Sequence, residues 1–230
     1  MSIFKCGMKI TNEETEYLCE STKLQSLSLV WHEHRVGRLT ASKFGSICHT
    51  NFDSPSQSLV KSILCRQHVM TEAIRWGIGN ESVAREAYCC EVKDHHDSFT
   101  VASTGLHIDP LYPHLGASPD GLINCTCCGK GVLELKCPYS IRDIDPAMIQ
   151  RADFYLIPQD GDLRLNQKHN YYYQVQGQMM VCNITYCDFV TWTPKGMQIE
   201  RIRRDDSFCQ MMREKLNNFC ETYPTPHSHW

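Results

Sequence analysis

The chain has 230 residues, 42% hydrophobic and 21% charged, with a formal net charge of −3 at pH 7. That suits one sizeable domain with a real core, or one domain with short terminal additions. No stretch approaches the roughly 18–20 apolar residues of a membrane helix, and residues 1–20, studded with Lys and Glu, lack a signal-peptide apolar core. An intracellular protein of the nucleus or cytoplasm is expected, not a secreted one, with no membrane partner.

In chain order, Thr11-Asn12-Glu13-Glu14 has capping-box spacing and predicts a short helix. Thr40-Ala41-Ser42 opens another, to about Cys48. The polar, proline-containing stretch 51–57 reads as a loop. Residues 59–73 have helical spacing, and a further helix is expected over 80–91, with Asn80 as N-cap. There Ala84, Ala87, Tyr88 and Glu91 form the inward stripe and Glu81 flanks it. Residues 100–108 have strand character. Two short strands follow, 121–124 and 132–136, joined by the turn-rich Cys125-Thr126-Cys127-Cys128-Gly129-Lys130-Gly131. Residues 140–167 read as loop. A long helix is expected over 166–182, with Tyr172, Val175, Met179 and Cys182 on one face. Strands at 188–193 and 197–203 flank Pro194-Lys195-Gly196, and a last helix starts near Asp206 with Phe208, Met212, Lys215 and Phe219 in line. The order fits an α/β domain with a small mixed β-sheet flanked by helices. Residues 1–28 are read as an N-terminal helical extension, 29–222 as the main domain and 223–230 as a flexible tail.

The fourteen cysteines include the adjacent pairs Cys89-Cys90 and Cys127-Cys128. Others, such as Cys48, Cys182, Cys209 and Cys220, are scattered through apolar stretches, and reduced thiols are expected. The small net charge argues neither for nor against nucleic acid, since local cations and metal-binding acids can cancel. Arg35, Arg38 and Lys43 make one basic cluster and Arg201, Arg203 and Arg204 another. Cys125-Thr126-Cys127-Cys128 brings thiols close together, but no companion C-x-x-C or His pair follows at zinc-finger spacing. Structural Zn²⁺ is therefore not expected there, nor any metal at His95-His96, His32-Glu33-His34 or His227-Ser228-His229.

The chemistry concentrates in Ser118-Pro119-Asp120-Gly121 and Leu133-Glu134-Leu135-Lys136. Alternate side chains of a strand share a face, so Glu134 and Lys136 project together, roughly 6.6 Å apart, with Leu133 and Leu135 opposite. A hairpin brings Asp120 beside Glu134. Converging carboxylates repel unless a cation sits between them, and hard oxygen donors favour Mg²⁺, with Mn²⁺ as the alternative. A cation there can act on a phosphodiester while Lys136 orients the attacking water.

These motifs resemble the YqaJ-type viral recombinase, or phage lambda exonuclease-like, nucleases of the PD-(D/E)xK superfamily. The resemblance begins at Trp31-His32-Glu33-His34-Arg35-Val36-Gly37-Arg38-Leu39-Thr40-Ala41-Ser42. It continues through Trp76-Gly77-Ile78-Gly79-Asn80-Glu81 and the two motifs above, and ends at Tyr173-Gln174-Val175-Gln176, covering roughly two thirds of the chain. It implies a restriction-endonuclease-like core over 29–222 and a metal-dependent DNA exonuclease acting 5′ to 3′ from duplex ends, in recombination or repair. Asp120, Glu134 and the Leu135 carbonyl would bind the catalytic metal. Glu81 would serve a second metal or its water shell, and Lys136 and Gln174 would complete the site. Arg35, Ser42, Ser118 and Arg142 would hold a DNA 5′-phosphate. Implied partners are double-stranded DNA ends, two further copies in a ring-shaped trimer, and a single-strand annealing protein. The alternatives are an endonuclease on the same core and a catalytically silent nucleic-acid-binding domain derived from a mobile element.

Overall fold

The computed structural model describes residues 10–65 and 70–223. Helix α1 (Asn12–Ser21) carries the expected capping box: the Thr11 hydroxyl accepts from Glu14 N, and the Glu14 carboxylate accepts from Thr11 N. It packs Leu18 against Leu106 and Ile108. The close approach requires Gly105, where a Cβ would lie 2.1 Å from the Cys19 carbonyl oxygen. Helix α2 (Leu29–Arg35) presents the Trp31 motif, and α3 (Ala41–Cys48) follows directly from β1 (Leu39–Thr40). The tail from 224 onward and His227-Ser228-His229 lie outside the described residues.

Two helices differ from the expectation. The stretch read as one helix over 59–73 is α4 (Gln57–Leu64), which Cys65 ends in extended backbone. The next, α5 (Glu72–Val92), is a single 21-residue helix capped by Thr71, so Asn80 is no N-cap. Its side chain bonds instead to the Trp76 carbonyl at 2.8 Å. Gly77 and Gly79 disfavour helix by about 1 kcal/mol each, a cost offset by burying Ala84 and Tyr88 against the sheet.

That main sheet has five strands in the order β10-β9-β6-β5-β2, formed by β2 (Thr100–Ala102), β5 (Gly121–Cys125), β6 (Gly129–Lys136), β9 (Tyr186–Thr193) and β10 (Gly196–Arg203). Only β6 and β9 run parallel, with Glu134 opposite Phe189; the other pairs are antiparallel. A parallel neighbour needs a long crossover, which contains helix α6 (Asn170–Val181). The strand expected over 100–108 is divided at Gly105 between β2 and β3 (His107–Ile108), the latter joining β1 and β4 (Leu115–Ala117) in a second sheet.

Residues 140–167, read as loop, contain a two-stranded hairpin, β7 (Leu156–Gln159) and β8 (Asp162–Leu165). Its turn, Asp160-Gly161, has positive φ at both residues, the conformation an Asp-Gly pair favours. Pro158 hid that signal, and as a two-stranded ribbon the hairpin tolerates it.

Helix α6 is buried nearly all round rather than on one stripe. Val175 and Met179 meet the sheet, while Tyr173 and Met180 meet α3 and α7 (Asp206–Thr222). Helix α7 buries Cys209, Met212, Leu216 and Phe219; Lys215, expected on that line, reaches the Cys48 carbonyl instead. The sheet thus lies between α5 on one face and α6 on the other. The basic cluster at 201–204 is largely neutralised: Arg201 pairs with Asp188 and Arg204 with Asp206.

At the Cys125–Cys128 turn, Thr126 N bonds to the Asp97 carbonyl at 2.9 Å, which brings His96 against three thiols. The expectation that these thiols lack a companion ligand is corrected: His96, which precedes them, groups with all three. All described cysteines are free thiols. No described helix is long and apolar enough to cross a membrane.

The closest helix packing makes a stability prediction. A Cβ on Gly177 would lie 2.3 Å from the Phe44 ring, whereas one on Gly79 meets nothing within 4 Å. Gly177→Ala should therefore cost about 1–3 kcal/mol, while Gly79→Ala should stabilise by up to about 1 kcal/mol. Urea midpoints measure both. An unmoved midpoint for Gly177→Ala would contradict the α3–α6 contact.

Candidate active site

Strand β6 alternates as the sequence predicts, but both its faces are covered. Leu133 and Leu135 pack on the α5 side, and Val132 on the α6 side. Glu134 also faces α6 and is only 2% exposed. Burying a carboxylate costs several kcal/mol unless it is fully hydrogen-bonded. Here Lys136 Nζ donates to Glu134 Oε1 at 2.6 Å, Gln174 Nε2 donates to the same oxygen, and Gln178 Nε2 donates to Oε2 at 2.6 Å. Lys136 also donates to Gln174 Oε1 at 3.3 Å and lies 4.3 Å from the centre of the Tyr171 ring. Burial works against the ammonium, but Glu134, Tyr171 and Asp120 outweigh it and hold Lys136 protonated, above the ordinary lysine range. It is a donor here, not a base.

Asp120 stands at the turn into β5. Its Oδ2 accepts from Leu135 N at 2.6 Å, and its own N–H donates to the Leu133 carbonyl. Burial, then Glu134, then Glu81 push its carboxyl well above the usual range. Glu81 projects from α5 and pairs with Arg85 at 3.3 Å. Burial raises its pKa too, with Arg85 opposing and Glu134 reinforcing. All three carboxylates, with Leu135, Lys136 and Gln174, line one cavity of about 480 Å³. Cys137 shares it, but burial and the nearby acids push that thiol up to about 12 and keep it protonated. The cavity's donors are therefore hard oxygens, and burial together with the neighbouring acids raises Asp120 and Glu81. Both features fit a divalent cation with part of its water shell.

A second cavity of about 200 Å³ is lined by Trp31, Arg35, Arg38, Thr40 and Lys43, among others. Arg35 lies 3.9 Å over the Trp31 ring and reaches the Thr40 hydroxyl, which is 3.4 Å from that of Ser42. Trp31 Nε1 donates to Ser118 Oγ at 2.9 Å, so the cavity adjoins the segment that carries Asp120. Burial lowers Arg35 and Arg38 to about 10, and lowers Lys43 with help from Arg35. Among the described residues, none of these three cations is paired with a carboxylate.

A family model described as the YqaJ-like viral recombinase domain matches residues 30–185. The chain belongs to that family. No curated protein matches this YqaJ-like chain significantly by sequence. Among solved structures it is similar to an alkaline exonuclease from Laribacter hongkongensis, at 24% identity over 84% of this chain and 90% of that one, with a TM-score of 0.61. The same exonuclease in complex with dAMP gives 0.63. The shutoff and exonuclease protein of Kaposi's sarcoma-associated herpesvirus covers 92% of this chain and 73% of its own at 12% identity, with a TM-score of 0.59. The shared fold is the restriction-endonuclease-like core, with its small mixed sheets flanked by helices.

Within the YqaJ-like domain, Asp120, Glu134, Lys136, Glu81, Leu135 and Gln174 come together at one cavity. Arg35 lines the other, while Ser42 and Ser118 lie outside its lining and touch its residues Thr40 and Trp31. Arg142 does not join them: it packs 4.2 Å over Tyr139, a residue of the first cavity. Gln178 and Tyr171 carry more of the site than sequence reasoning assigned. Their signal was available, since 171, 174 and 178 fall on one helical face. Gln176, on the opposite side of the helix, serves the fold by bonding to the Arg203 carbonyl and Asp205 N.

The raised Asp120 carboxyl gives a signed prediction. A group that holds its proton more tightly folded than unfolded contributes most below its unfolded range, and that contribution is lost as pH rises through the folded value. Metal-free protein should therefore lose stability from acidic toward neutral pH, and Asp120→Asn should melt above wild type at neutral pH. A divalent cation at about 100 times its Kd should stabilise only the wild type, by about 2.7 kcal/mol, or several degrees in Tm. Equal cation shifts for both proteins, read by differential scanning calorimetry, would remove Asp120 from the metal site.

Proposed function

We propose that this chain is a Mg²⁺-dependent deoxyribonuclease, an exonuclease that hydrolyses DNA phosphodiester bonds 5′ to 3′ from duplex ends in recombination or repair. The observation that carries the reading is Asp120, Glu134 and Glu81 around one cavity, with a protonated Lys136 clamped to Glu134. Family membership and the exonuclease named in the Laribacter hongkongensis structure support it. DNA is the partner named in a similar SOX–DNA complex structure, 13% identical.

Asp120, Glu134 and the Leu135 carbonyl would hold the cation, with Glu81 at its water shell or at a second ion. When bound, it polarises a phosphodiester oxygen and lowers the pKa of water. Lys136, oriented by Glu134, Gln174 and the Tyr171 ring, donates N–H bonds that aim the attacking water and offset the charge that develops. Gln178 fixes the far oxygen of Glu134, so the carboxylate cannot rotate away. The buried cations around Arg35 supply a cradle for a terminal phosphate, with Ser42 and Ser118 beside it. A ring-shaped trimer and a single-strand annealing partner belong to the same reading; light scattering of the purified chain tests the first.

Linear duplexes with Mg²⁺ should be degraded while covalently closed circles survive; equal cutting of circles would overturn the exonuclease assignment. Glu134→Ala and Lys136→Ala should each slow degradation by about 10²–10³-fold, the second with cation binding retained. Undiminished degradation by Glu134→Ala would displace the site. Arg35→Ala should erase most of the preference for 5′-phosphorylated over 5′-hydroxyl ends, and an unchanged preference would move the phosphate cradle elsewhere.

A further inference from the structure

The hairpin end remote from Lys136 holds donors that the nuclease chemistry does not use. Cys125 closes β5 opposite Gly129 of β6, and Thr126, Cys127 and Cys128 form the turn between them. Cys127 Sγ lies 3.6 Å from Cys125 Sγ and 3.7 Å from Cys128 Sγ. His96 Nδ1 lies 3.2 Å from Cys127 Sγ, 3.7 Å from Cys125 Sγ and 3.6 Å from Cys128 Sγ. All four donor atoms fall within 4.8 Å of one another, a grouping found at no other place among the described residues.

Tetrahedral zinc, with Zn–S of about 2.3 Å and Zn–N of about 2.0–2.1 Å, separates its ligand atoms by about 3.8 Å for S–S and about 3.6 Å for S–N. Five of the six edges, at 3.2–3.7 Å, lie close to those of that tetrahedron, and the sixth, Cys125 to Cys128, is within 4.8 Å. A disulfide needs sulfurs about 2.05 Å apart, so the thiols are spaced for a shared ion and not for a bond. We propose that Cys125, Cys127, Cys128 and His96 bind one structural zinc ion.

The surroundings are built for it. Thr126 N and Oγ1 both donate to the Asp97 carbonyl, at 2.9 and 3.2 Å, so the segment carrying His96 is tied to the turn. Arg201 donates to Cys128 Sγ at 3.3 Å and is itself held by two bonds to Asp188. Such outer N–H···S bonds stabilise a coordinating thiolate and fix its direction. The His96 ring stacks on Phe99, 5.6 Å between centres. With all four protein ligands in place the site is closed, which marks a structural rather than a catalytic zinc. Its mechanical role follows from what it joins: the segment just past α5, which carries Glu81, and the hairpin that leads into Glu134. The ion would sit roughly 20 Å along β6 from Glu134, too far to touch substrate there.

Elemental analysis of the full chain, purified from zinc-supplied cells and dialysed against Mg²⁺, should find one zinc per chain. Cys127→Ser and His96→Ala should lower it severalfold, while the exposed control Cys90→Ser and the active-site variant Glu134→Ala keep it. Co²⁺ added to zinc-stripped wild type should give thiolate-to-cobalt charge-transfer and tetrahedral d–d bands, a readout that does not depend on any variant folding. Stripping zinc should also lower Tm by several degrees. Wild type with far less than one zinc and no cobalt bands would overturn the proposal, as would zinc lost with Glu134 but kept without Cys127.

Discussion

Glu134 carries a carboxylate into the layer between the central strand and α6, where an uncompensated charge would cost several kcal/mol. Much of the domain is arranged around meeting that cost. Gln174 and Gln178 sit one turn apart on α6 and take one oxygen each, and Lys136, two residues on along the same strand, closes on the first oxygen. Helix α6 must therefore hold a fixed height and rotation over β6. Its burial between the sheet and the α3–α7 pair, with Gly177 admitting Phe44, holds it there.

The same geometry leaves a deliberate imbalance on the other side of Glu134. Asp120 and Glu81 meet it at the cavity, where burial first and the neighbouring acids second push both toward protonation, against Lys136 and Arg85. The neighbouring cavity has the reverse excess: among the described residues, no carboxylate pairs with Arg35, Arg38 or the half-buried Lys43. One pocket short of positive charge and one short of negative charge, joined through Ser118 and Trp31, suit a dication and a phosphate. Aligned net charge gives no hint of this, because the two excesses cancel in the total of −3.

Local features were legible where the physics is local. The Thr11 capping box, the alternation in β6 and the hairpin bringing Asp120 to Glu134 depend on neighbours a few residues apart. The motif order led to the correct family, and its carboxylates, Lys136 and Gln174 line one cavity. Reading failed where one local signal masked another. Gly77 and Gly79 concealed the first half of α5, since their helical cost is visible in sequence and the sheet that offsets it is not. Pro158 likewise concealed the Asp160-Gly161 turn.

By itself, the sequence determined that this is a mixed α/β chain of the YqaJ-like family, and that Glu134 and Lys136 share a strand face with Asp120 across a hairpin. Strand periodicity and motif spacing carry that information directly. Only the tertiary structure decided that Glu134 is buried and clamped by Gln178, that Arg142 stands apart from Arg35, and that His96 meets three thiols from 29–32 residues farther along. These pairings depend on which elements the core forces together. Burial energy is summed over the whole domain, and no window of sequence contains that sum.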